Sequence, residues 1–87
     1  MFAGKTASGF EFKVDEKNLY DYELVELLSE VDQNPLLLPK LLKQLLGEEQ
    51  KNRLIEHIRA KEGSVPLTAM NEEIAEIFKG SQALKNS

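Results

Sequence analysis

The chain has 87 residues, no cysteine, and 15 acidic against 11 basic residues, giving a formal net charge of −4. That length makes one domain, 1–87, with room for one modest core, just above the roughly 70–80 residues below which a fold usually needs a disulfide, a metal or a partner. Without cysteine, disulfides, thiolate metal sites and thiol catalysis are excluded, and bases scattered among acids argue against nucleic acid and anionic membranes as partners.

Residues 1–7 are small and polar and are expected to be flexible, with the ordered core spanning about 8–79. MFAGKTASG lacks the apolar stretch of a signal peptide. Phe10-Glu11-Phe12-Lys13-Val14 alternates apolar and polar side chains with period two, which predicts a short half-buried strand. Ser8-Gly9 would turn it back on residues 3–7 as a small hairpin. An isolated ribbon is marginal, so it must pack on helices or pair with another chain; an open edge at 10–14 invites a dimer or a ring.

Asp15 or Asn18 can cap the next segment. Helix one is expected from about Leu19 to Asp32, burying Tyr20, Leu24, Leu27, Leu28 and Val31 and turning Asp21, Glu23, Glu26 and Glu30 outward. Helix two starts near Pro35 behind an Asn34 cap and stops at Gly47 in a left-handed conformation. Helix three opens on Glu48-Glu49-Gln50, acids at the positive end of its dipole. It runs to about Ala60 with a narrow apolar face of Leu54, Ile55 and Ile58. After a loop at Lys61-Glu62-Gly63-Ser64, helix four begins at Pro66 or Thr68 and ends before Gly80. Its buried stripe is Leu67, Met70, Ile74, Ile77 and Phe78. Residues 80–87 should fray. No apolar run approaches the roughly 18 residues of a membrane-spanning helix. The fold class is mainly α: a small four-helix bundle with an N-terminal β-strand or short hairpin.

Chemistry-bearing groups are sparse. The acids of helix one rise along one face without the glycine turn and fixed oxygen-ligand spacing of a calcium loop, so a solvated acidic face is the simpler reading. His57 is the only histidine. Catalysis would require a nucleophile or second base poised against it, and metal binding at least two further ligands; the sequence suggests neither. The glycines match no phosphate-binding spacing. Helix two, Gly47 and helix three have the outline of a helix-turn-helix, but Lys51, Asn52, Arg53 and Arg59 are interleaved with Glu48, Glu49 and Glu56, unlike a recognition helix. The sequence therefore implies no enzyme, no cofactor and no metal.

The leucines are the strongest signal. Leu36, Leu37, Leu38, Leu41, Leu42, Leu45 and Leu46 cover most of a helix circumference, which predicts a central helix buried on several sides. An exposed flank would instead mark an interface, since each exposed leucine forfeits roughly 1.5–3 kcal/mol of burial. Leu37, Leu38, Leu41 and Leu45 are the expected partner-binding residues.

Taken in order, several stretches resemble the small tail assembly chaperones of long-tailed (siphovirus-type) bacteriophages and prophages. They are Ser8-Gly9-Phe10-Glu11-Phe12, Asp21-Tyr22-Glu23-Leu24-Val25-Glu26-Leu27-Leu28, Leu45-Leu46-Gly47-Glu48-Glu49-Gln50, Glu56-His57-Ile58-Arg59, Val65-Pro66, Ala69-Met70 and Ile74-Ala75-Glu76-Ile77-Phe78. Lys51 stands where the family would place an aromatic residue. The resemblance implies a role rather than a reaction. Such proteins bind the helical, aggregation-prone tape measure protein in the host cytoplasm during tail morphogenesis and are absent from the finished virion. A longer form made by programmed ribosomal frameshifting would recruit the tail tube protein. Leu84-Lys85-Asn86 can be encoded with a slippery A AAA AAC heptamer, as such a frameshift requires. The competing expectations are a small DNA-binding regulator and a structural tail or head-completion protein.

Overall fold

A computed structural model describes the backbone of residues 2–86 and the side chains of residues 2–80. The chain forms an N-terminal hairpin, β1 (Phe2–Lys5) and β2 (Glu11–Val14), followed by four helices. These are α1 (Glu16–Leu19), α2 (Tyr22–Val31), α3 (Leu38–Glu62) and α4 (Leu67–Asn86), with a 3-10 turn at Pro35–Leu37 before α3. The radius of gyration is 12.3 Å, close to the ~12 Å of a folded chain this long.

The hairpin arises as its alternation predicts. Phe2 pairs with Val14, Ala3 with Lys13, Gly4 with Phe12 and Lys5 with Glu11. The Thr6 N–H bonds to the Phe10 carbonyl at 2.9 Å and the Gly9 N–H to the Thr6 carbonyl at 2.9 Å, closing the loop. Gly9 adopts φ +96° there, as a three-residue hairpin loop ending in a glycine bulge requires. Phe10, Phe12 and Val14 are buried while Glu11 and Lys13 face outward. Residues 2–5, placed by the sequence reading outside the ordered core, are the first strand.

Phe12 explains two glycines. A Cβ at Gly4, directly across the ladder, would lie 2.8 Å from its ring, and one at Gly80 on α4 would lie 3.2 Å from it. The ring thus fills the space above a strand glycine and lets α4 approach β1, against which it packs. Gly80 was expected beyond the end of helix four. It is instead a contact point within a helix that runs on to Asn86; the expected fraying of the side chains at 81–87 lies outside the described residues.

The N-terminal helical region differs from its expectation. Asp15 caps α1, a single turn, through the Lys17 N–H, and Asp21 caps α2 through the Glu23 N–H. Tyr20 therefore lies outside the helix whose buried face it was expected to share, and it is exposed. Leu24 and Leu27 carry the burial of α2, with Leu28 and Val31 half-buried. Leu67, the first residue of α4, is likewise exposed, because Met70, Ile74 and Ile77 begin the buried stripe one turn later.

Helices two and three are two arms, 38–46 and 48–62, joined at Gly47 with φ 83° and ψ 164°. That conformation is open essentially to glycine alone. The second arm continues through the expected loop to Glu62 and ends at Gly63 in the left-handed conformation.

The break at Gly47 frees carbonyls of the first arm, and Gln50 answers for one of them. Its Nε2 donates to the Leu46 carbonyl at 2.8 Å and to the Lys13 carbonyl at 2.8 Å, while its Oε1 accepts from the Lys13 N–H at 2.7 Å. The amide thus acts as one residue of a third strand along the outer edge of β2. At Lys13 the edge that the sequence left open for a second copy is already occupied. Glu48 adds ion pairs to Lys43 on one side of the break and Lys51 on the other, at 3.7 and 3.8 Å.

Candidate functional site

The four leucines expected to bind a partner sit as follows. Leu41 and Leu45 are fully buried, Leu38 is buried and Leu37 is half-buried at the margin of the core. They pack with Leu42, Leu46, Leu24, Leu27, Leu54, Ile58 and the hairpin phenylalanines in one cluster. In the free chain these four side chains are core or core margin and not an open groove. α3 packs against α2 and β2, which is how a helix apolar around most of its circumference is satisfied. Among the seven leucines only Leu36, in the 3-10 turn, is strongly exposed.

The structure assembles a polar cluster that the sequence did not reveal. Thr6 and Ser8, in the hairpin loop, meet Glu73 of α4 and His57 of α3. The Glu73 carboxylate is buried and accepts from Thr6 Oγ1 at 3.0 Å and from Ser8 Oγ at 2.6 Å. Ser8 Oγ also lies 3.0 Å from His57 Nε2. Thr6 Oγ1 accepts from the Phe10 N–H at 3.2 Å, and Glu76 accepts from the Ala7 N–H at 2.7 Å. The Phe10 ring stands 5.6 Å from the imidazole, tilted by 54°, with the Arg53 guanidinium 5.8 Å from the ring centroid.

A serine, a histidine and a glutamate in contact invite comparison with a hydrolase triad, and the order of the contacts differs from that of one. A hydroxyl has one proton to donate. Ser8 donates to Glu73 at 2.6 Å and lies 3.1 Å from Thr6 Oγ1, so the contact to His57 is a hydrogen bond in the tautomer that carries its proton on Nε2. A nucleophilic serine needs the reverse, a histidine nitrogen accepting the hydroxyl proton while the carboxylate orients the ring. Here the carboxylate faces the hydroxyls. The cluster satisfies a buried charge with charge-assisted hydrogen bonds and fastens the hairpin loop to two helices. One sequence signal pointed to it: Glu73 falls on the α4 stripe between Met70 and Ile77, where a carboxylate needs buried donors. Its partners lie too far off in sequence for spacing to name them.

Among the described residues no three His, Asp or Glu side chains converge as a metal-binding group, and no helix is long and apolar enough to cross a membrane. An open groove of about 920 Å³ runs between the hairpin and α3 and mixes Lys5, Lys13 and Arg53 with Glu11, Asp15 and Glu49. Comparison with known protein families, curated proteins and solved structures gives no match.

Proposed function

We propose that this chain is a non-enzymatic tail assembly chaperone of a long-tailed phage or prophage. It holds helices of the tape measure protein in solution in the host cytoplasm until the tail tube assembles. The observation that carries the reading is the ordered set of stretches between Ser8 and Phe78 that resembles this family. The architecture is compatible with it: a mainly helical chain, which we read as a small bundle opened by its hairpin, with a strongly acidic flank. The burial of Leu38, Leu41 and Leu45 moves the proposed contact surface elsewhere, to the apolar side chains that stay exposed between residues 20 and 36. A longer, frameshifted form would bring the tail tube protein to the complex.

Co-expression tests the proposal. A large tape-measure-like protein, if one is encoded downstream of this gene, should be soluble and co-purify with the chain, and should precipitate without it. Mass spectrometry of purified particles should not find the chain. Equal precipitation with and without it would overturn the proposal, and recovery of the chain from virions would replace it with a structural tail or head-completion role.

A further inference from the structure

Exposed apolar side chains and acids coincide on one flank. Of the five large apolar side chains that are well exposed among the described residues, Tyr20, Tyr22, Val25 and Leu36 fall between residues 20 and 36, and Leu67 lies elsewhere. The segment 15–32 carries seven acids and one lysine, whereas the rest of the chain carries eight acids and ten bases. The negative charge of the protein therefore belongs to this flank alone.

On α2 the two properties form adjacent stripes. With Leu24 and Leu27 buried, the helical repeat puts Tyr22 and Val25 on one side of the outward face, and Glu23, Glu26 and Glu30 on the other. Tyr22 is 72% exposed and Val25 52%, and Leu36, at 86%, stands in the turn that packs back against α2. The three glutamates make no ion pair among the described residues. They stand three and four residues apart, where like charges repel. The last turn of α2 holds no basic residue, so Glu30 also faces the negative end of the helix dipole. This arrangement weakens α2 in the free protein, and a cationic partner would relieve it.

We propose that the outer face of α2 docks a cationic amphipathic helix. The partner's apolar stripe would lie over Tyr22 and Val25, and its lysines or arginines would sit beside Glu23, Glu26 and Glu30. Charge complementarity selects this occupant. A second copy of the chain would set two acidic ridges against each other, and an acidic or neutral helix would leave the glutamates without cations in a partly desolvated contact. The inference rests on the reading of the chain as a binder of helices, and it holds whether or not the tape measure protein is the helix bound.

The test uses fluorescent peptides of about 18 residues, long enough to form a helix on the surface. One has leucines on one face and lysines on the other; its control replaces every lysine with glutamate. Anisotropy should show the leucine–lysine peptide binding at least about tenfold more tightly than its control, and binding should weaken as salt rises from about 50 to about 500 mM. Tyr22→Ser with Val25→Ser, and separately Glu26→Lys with Glu30→Lys, should each lower that affinity at least about tenfold with unchanged circular dichroism. Equal binding of both peptides overturns the proposal. So does unchanged binding by the serine variant, which would reduce the effect to charge alone. A dimer in sedimentation that Tyr22→Ser with Val25→Ser dissociates would overturn it in favour of a second copy. Failure here leaves the chaperone reading to its co-expression test, and failure of co-expression leaves this surface standing.

Discussion

The hairpin end and the α2 flank solve opposite problems with the same residue types. At the hairpin, the carboxylate of Glu73 is buried and accepts hydrogen bonds from two hydroxyls, and the aromatic ring of Phe12 is seated against Gly4 and Gly80. On α2, the carboxylates of Glu23, Glu26 and Glu30 have no ion-pair partner among the described residues, and the aromatic ring of Tyr22 faces outward. Identical chemistry is spent on internal cohesion in one place and left uncommitted in the other. The contrast separates what holds the fold from what is free to meet a partner.

The comparison can be broken most forcefully in the core. Leu41→Glu with Leu45→Glu puts two charges where no solvent reaches and should abolish the helical signal in circular dichroism; Leu45→Ala alone should cost about 2–5 kcal/mol in urea unfolding. A folded double variant would mean that these leucines are not core. Next, Glu73→Ala strands the Thr6 and Ser8 hydroxyls and should cost about 1–3 kcal/mol, with faster hydrogen exchange at the loop amides of Ala7 and Phe10. Gly47→Ala meets no steric obstacle yet forces a side chain into a glycine conformation, so about 1–3 kcal/mol is expected from backbone strain alone. Gln50→Ala should cost less, about 0.5–1.5 kcal/mol, and should unprotect the Lys13 amide. The smallest effect belongs to the outer flank. Glu26→Lys with Glu30→Lys should leave stability within about 0.5 kcal/mol of the parent or raise it. A large loss there would show that the flank is structural and would erase the contrast.

Local signals carried much of this fold in the sequence. The alternation through Phe10, Phe12 and Val14 and the break at Gly47 each follow from a few adjacent residues and stand in the structure, whereas Asn34 caps the 3-10 turn Pro35–Leu37 and not the helix that begins at Leu38. Interpretation failed where the reason for a residue lies across the chain. Gly80 looked like a helix stop because its purpose, the Phe12 ring, is near only in space. Tyr20 fitted a helical repeat that Asp21 interrupts by capping a new helix. The leucines of α3 could be read as core or as groove until the positions of α2 and the hairpin were known. The Thr6–Ser8–Glu73–His57 cluster draws on three separate elements, and only the awkward placement of Glu73 hinted at it.

Gln50 links two features that would otherwise be independent. Its amide caps the carbonyl freed at the helix break and pairs with the edge of the second strand. The break at Gly47 and the edge of β2 thus share one side chain. Removing that amide would leave both the Leu46 carbonyl and the Lys13 backbone groups without it, so a single substitution reaches the helix break and the strand edge together.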